Sequence, residues 1–214
     1  MRQGTFDLPV EPQYHCADFL VSDSNRAAFE LVERWPDWRA RAVVLHGAVG
    51  CGKTHLAHLW CARSGAPLVQ GRSLSQPEDL PASVAVDDAD RGDERALLHL
   101  YNLTLERGGS LLLTMPVPPA RLKIGLADLG SRLRSLPVAG IAPPDDELLK
   151  AVLAKHFADR QLRVAPEVLA YLVARIERSF AAAADIAARL DRLGLETRRA
   201  VTIKLARAVL GEAQ

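Results

Sequence analysis

Cysteine is scarce in this 214-residue chain: Cys16, Cys51 and Cys61 are odd in number and lack any metal-ligand spacing. Neither a disulfide framework nor a cysteine-based zinc site can organise such a chain, and the three read as reduced thiols. Long apolar runs are missing too, since no stretch approaches the length needed to cross a bilayer, so a membrane span is not expected. The amino terminus, Met1-Arg2-Gln3-Gly4-Thr5-Phe6-Asp7-Leu8-Pro9, lacks the apolar core of a secretory signal, which predicts a cytoplasmic protein. Nor is there a strong charge excess. The formal net charge is +1, and residues 151–214 hold 11 Lys/Arg against 7 Asp/Glu, leaving 16 against 19 before them. That asymmetry is too weak to imply DNA binding. What is present is 49% hydrophobic and 25% charged residues, the composition of an ordinary globular protein, in a chain long enough for one substantial core and a small helical appendage.

The most informative positive feature is Gly47-Ala48-Val49-Gly50-Cys51-Gly52-Lys53-Thr54, which matches the phosphate-binding P-loop at every fixed position. Glycines let backbone N–H groups close around phosphates, Lys53 reaches the β/γ oxygens, and the Thr54 hydroxyl is placed to ligate Mg²⁺. The apolar run Ala42–His46 before it reads as a buried parallel strand, and Lys53 to Arg63 after it has helical spacing. Gly47, Gly50, Cys51, Gly52, Lys53, Thr54 and the adjoining His55 are therefore the candidate nucleotide-binding set, for ADP or ATP with Mg²⁺. Cys51 reads as a small residue that fits the loop.

Ser24-Asn25 can cap a helix running from Ala27 toward Trp35, with Pro36 ending it. Further apolar runs at Pro67–Gln70, Ser83–Val86, Ser110–Thr114 and Leu136–Ile141, with helical segments between most of them, predict an α/β fold with a parallel sheet covered by helices on both faces. From Asp145 the pattern becomes purely helical after the break at Pro143-Pro144, with a helix opening at Pro166 and others over Ala181–Leu193 and Ala200–Leu210. The expected organisation is an extended tail (1–12), a P-loop α/β core (13–143) and a small all-helical lid (144–214).

Val84-Ala85-Val86-Asp87-Asp88 puts two carboxylates at the end of an apolar strand, where a P-loop enzyme needs one acid to hold Mg²⁺ (Asp87, with Thr54) and another to polarise the attacking water (Asp88). Thr114 ends the next strand and is a candidate γ-phosphate sensor. Asp128-Leu129-Gly130-Ser131-Arg132-Leu133-Arg134-Ser135 offers arginines suited to stabilising phosphate charge across an interface.

The order of P-loop, Asp87-Asp88, Thr114, Ser131-Arg132-Leu133 and helical lid resembles the AAA+ ATPases, particularly the group formed by the replication initiator DnaA and its short relative Hda. Tyr14-His15-Cys16-Ala17-Asp18-Phe19-Leu20-Val21-Ser22-Asp23-Ser24-Asn25-Arg26 is similar to that group's entry signature, which lies beside the adenine. The chain stops at Gln214, before any helix-turn-helix domain like the initiator's, and this favours the Hda-like branch. So does the terminal Gln3, with Phe6 and Leu8 three and five positions later, which resembles a sliding-clamp-binding peptide.

The resemblance implies that Arg132 is an arginine finger acting on nucleotide held by a neighbour. That neighbour would be ATP-bound DnaA, docked while this chain holds the β sliding clamp of DNA polymerase III; homo-oligomerisation stays open. Two departures from the family pattern bear on this chain's own catalysis. The family's sensor acid falls on Pro116, and the lid arginine that contacts phosphate falls on Ala181 unless the alignment slips by three to Arg178. Slow hydrolysis at the chain's own site is the expectation, with a self-sufficient ATPase such as a helicase loader, or a non-catalytic interaction module, as the competing readings.

Overall fold

A computed structural model describes residues 19–197 and 200–211. Gln3, Phe6, Leu8 and the entry residues before Phe19 lie outside the described residues. Five strands, β1 (Ala42–Gly47), β2 (Leu68–Gln70), β3 (Val84–Asp87), β4 (Leu111–Met115) and β5 (Val138–Ile141), form one sheet in the order β2-β3-β4-β1-β5. Every pairing is parallel, with Val44 opposite Leu113 on one side and Val138 on the other. The three inner strands are apolar runs because both of their faces are covered.

Alternation along β1 decides which helices it meets. Val43 and Leu45 enter a cluster with Ala28 and Val32 of α1 (Arg26–Glu33) and with Leu56, Ala57 and Trp60 of α2 (Lys53–Ser64). Ala42 and Val44 point the other way, to Leu97 and Leu100 of α3 (Glu94–Glu106) and Leu129 and Leu133 of α4 (Ala127–Ser135). Trp60 is fully buried, stacked on Trp38 at 5.5 Å and met edge-on by Trp35 at 6.2 Å. Parallel strands with helices on both faces leave the strands' carboxyl ends as the natural ligand edge, and the P-loop, Asp87 and Thr114 all lie there.

After β5 come α5 (Asp146–Asp159), α6 (Pro166–Val173), α7 (Phe180–Thr197) and α8 (Ile203–Leu210), packed around their own core of Leu149, Leu153, Phe157, Leu172, Ile186 and Leu190. Asp145 caps α5 by accepting from the Leu148 N–H. Helix α8 starts three residues later than its periodicity suggests, because the Thr202 hydroxyl caps it by accepting from Leu205. Asn25 also departs from expectation. Its buried side chain does not cap α1; it accepts from the Ser22 N–H at 2.9 Å and donates to the Leu20 carbonyl at 2.9 Å, tying the entry segment into a turn. No helix among the described residues is long and apolar enough to cross a membrane.

Candidate nucleotide site

The loop between β1 and α2 adopts a shape that its glycines permit. Gly50 and Gly52 have φ of +74° and +104°, in the region that L side chains rarely enter. Lys53 is 6% exposed, and its ammonium donates to the Gly47 and Ala48 carbonyls at 2.8 and 2.9 Å, so the cation is fixed within the cradle. Cys51 points into the core beneath. Burial raises its thiol pKa, only partly opposed by Lys53, which leaves it a packing residue. His55 meets Phe19 edge-on at 5.2 Å, and Phe19 stacks on Phe29 at 5.6 Å, so His55 joins the aromatic wall of the entry segment.

Asp87 and Thr54 come together from β3 and α2, with the Thr54 hydroxyl donating to Asp87 Oδ2 at 2.8 Å. Thr114 donates to Asp87 Oδ1 at 2.5 Å and accepts from the Asp88 N–H at 2.9 Å. Thr114 has no exposed surface, and its hydroxyl is occupied on both counts. It ties the acid pair together, joining Asp87 Oδ1 to the Asp88 N–H. Asp88 takes a left-handed conformation (φ 49°, ψ 49°) and pairs with Arg91 at 3.5 Å. Gly71 makes that turn fit, since a Cβ there would stand 2.3 Å from the Asp88 carbonyl oxygen. Neither Gly71 nor Gln70, whose amide approaches Asp87 Oδ2 at 3.5 Å, carried a sequence signal.

The donor set suits a hard cation. Thr54 and Asp87 offer oxygen side by side, and no cluster of three or more His, Cys, Asp or Glu residues exists among the described residues that could cage a metal without phosphate oxygens. Mg²⁺ is bound in just this way, through one or two protein oxygens plus phosphates and water.

The lid closes directly on the loop. The Phe180 N–H donates to the Gly50 carbonyl at 2.9 Å, and a Cβ on Gly50 would lie 3.2 Å from both Ala181 Cβ and Ser179 Cβ. Ser179, Phe180 and Ala181 thus face the phosphate loop together. Arg178 is spent elsewhere, in an exposed ion pair with Asp146 at 2.8 Å. Pro116 follows β4 with no group that could coordinate anything. Arg132 stands on the rim of α4, its Nε donating to Asp128 at 3.0 Å and its guanidinium carbon 5.5 Å from the centre of the Tyr101 ring. Among the described residues no hydrogen bond joins it to Asp87 or Asp88.

Comparison with known proteins agrees with this arrangement. Residues 145–210 match the family model of the Hda lid domain. Domain III of the replication initiation protein DnaA from Thermotoga maritima superposes with a TM-score of 0.81 at 20% identity, over 96% of this chain and 98% of that one. The carboxyl-terminal helices are thus similar to the Hda lid domain, and the fold of the chain is that of DnaA domain III. AMPPCP-bound DnaA from Aquifex aeolicus superposes at 0.68 with 20% identity, over 88% of this chain and 69% of the other. A RuvB variant from Thermotoga maritima reaches 0.71 at 14% identity, over 88% and 68%. The same fold is therefore found in proteins with different names and roles, and the role of this chain has to be argued from its site.

Proposed function

We propose that this chain is a nucleotide-binding regulator of bacterial replication initiation that acts from the cytoplasm. It binds the sliding clamp through Gln3, Phe6 and Leu8 and stimulates hydrolysis of ATP held by DnaA. The observation that carries this reading is the contrast between two sites. Arg132 is presented on the outer rim of α4, while the loop that would serve the chain's own nucleotide is faced by Ala181, and Pro116 stands after β4 where the resemblance calls for a sensor acid. An always-charged, planar donor at an exposed rim suits transition-state charge on a neighbour's phosphate.

In this reading Lys53 and the amides of Gly47–Thr54 hold ADP or ATP, the entry segment lies beside the base, and Thr54 with Asp87 holds Mg²⁺. The ion supplies charge neutralisation at the phosphates. Thr114 keeps Asp87 oriented and Asp88 in its turn. With no arginine from the lid on the phosphates, stabilisation of the transition state in cis is weak, and bound nucleotide sets conformation more than it turns over.

The deciding experiment measures hydrolysis of DnaA-bound ATP in the presence of this protein and DNA-loaded clamp. Arg132→Ala should abolish stimulation while leaving nucleotide and clamp binding intact, and full stimulation by that variant would overturn the reading. One observation favours the rival, a self-sufficient ATPase: the Thr54–Asp87–Thr114 network is complete. Rapid steady-state turnover by the purified protein alone would select it.

A further inference from the structure

Two helices hold Arg132 through Glu94, Tyr101 and Asp128, of which Glu94 and Tyr101 belong to no motif. Glu94, in the first turn of α3, accepts from the Gly125 and Leu126 N–H groups at 2.9 and 2.6 Å, which ties down the chain immediately ahead of α4. Tyr101 lies seven residues further along α3, two turns on and therefore on the same face, where its ring sits beneath the Arg132 guanidinium. Asp128, one turn before Arg132 in α4, accepts from its Nε. Between these points Leu97, Leu100, Leu129 and Leu133 pack into one core cluster, so α3 and α4 form a firm base for the contacts.

The chemistry of this bracket is directional. Asp128 takes the Nε edge of the guanidinium, so the Nη edge, which carries the fork that recognises phosphate, is not consumed by that carboxylate. A ring beneath the plane limits tilt and favours the cation. Helix α3 also begins just after Asp87-Asp88, joined to them by the single 3-10 turn Ala89–Arg91 and capped by Asp93, so the bracket grows from the same segment as the acids.

We infer that Glu94, Tyr101 and Asp128 are positioning residues that preset Arg132 for action on a phosphate outside this chain. The inference rests on the role proposed for Arg132 above and specifies how that residue is made ready. Preorganisation of this kind acts on the rate at saturation and leaves association unchanged.

Two measurements test it. In the first, the rate of DnaA-bound ATP hydrolysis is followed against the concentration of this protein. Tyr101→Leu and Asp128→Ala should each lower the maximal rate about three- to five-fold, the scale of one exposed cation–π contact and of one surface ion pair, with the half-saturating concentration unchanged. Glu94→Ala should act in the same sense, and Tyr101→Phe, which keeps the ring, should stay within about two-fold of the parent. A rise in half-saturating concentration with no fall in maximal rate overturns the inference, as does a Tyr101→Phe variant as impaired as Tyr101→Leu. If Arg132→Ala itself stimulates fully, the functional reading fails, and the second measurement still decides the bracket. In ¹⁵N-resolved NMR spectra the Arg132 Nε–H resonance should shift and lose exchange protection in Asp128→Ala. It should shift in Tyr101→Leu and shift less in Tyr101→Phe, which keeps the ring and loses only the hydroxyl that also bonds Arg132. An Arg132 resonance unmoved by Asp128→Ala and Tyr101→Leu overturns the inference whatever the hydrolysis assay gives.

Discussion

Replacing threonine by valine at two buried positions should move stability in opposite directions. Thr114 and Thr104 are 0% and 1% exposed, and valine matches threonine in shape, so neither exchange leaves a cavity. The difference lies in the hydroxyls. Thr114 donates to a carboxylate and accepts from the Asp88 N–H, whereas Thr104 Oγ1 has no hydrogen-bond partner among the described residues. A hydrogen bond to a charged group contributes about 1.5–3 kcal/mol, and a partly buried N–H left unpaired costs about 1–3 kcal/mol. Thr114→Val should therefore destabilise by about 3 kcal/mol, which for a domain of this size lowers Tm by about 6–12 °C. Thr104→Val removes an unpaired buried polar atom and should stabilise by about 1 kcal/mol, raising Tm by about 2–4 °C. Thr114→Ser keeps the hydroxyl and loses one methyl, so it should cost only about 1 kcal/mol. Thermal unfolding followed by far-ultraviolet circular dichroism reads all three. If Thr114→Val unfolds within a degree of the parent, or if both valine variants shift the same way by similar amounts, the network around Asp87 does not do what its geometry indicates.

Two further outcomes are expected from the contacts of Arg178 and His156. Because Arg178 pairs with Asp146 on the surface, Arg178→Ala should cost less than about 1 kcal/mol and leave nucleotide affinity within about two-fold, whereas Lys53→Ala should reduce it at least a hundred-fold. Titration of fluorescent ADP measures both, and a large loss for Arg178→Ala would return that residue to the phosphates. His156, in α5, has its pKa lowered chiefly by burial and further by Arg160. Its neutral form belongs to the fold, so its contribution is complete above the unfolded value near 6.5 and is lost as pH falls through that value and the lower folded one. His156→Gln should flatten the decline of the urea midpoint between pH 7.5 and 5, and parallel curves for the two proteins would count against this.

Local signals carried a large part of the site. The P-loop spells out its own conformation, since only glycine relieves the backbone at Gly50 and Gly52, and Asp87-Asp88 closes an apolar strand as recognisably as the strand itself. No local pattern reveals a contact between residues far apart in sequence. Glu94 bonds to amides 31 and 32 positions away, and Thr114 reaches Asp87 across 27.

By itself, then, the sequence determined the alternating α/β core, the helical character of the chain beyond β5 and the identity of the phosphate loop, because hydrophobic period and backbone-permissive glycines are properties of short segments. Tertiary structure alone decided that Ala181 faces Gly50 while Arg178 turns to Asp146. Residues three apart stand nearly a full helical turn from one another, so only the packing of residues 178–181 against the loop decides which contacts each one makes. It also decided that the Thr114 hydroxyl is consumed by Asp87 and Asp88, and that Arg132 stands on a rim with Tyr101 beneath it.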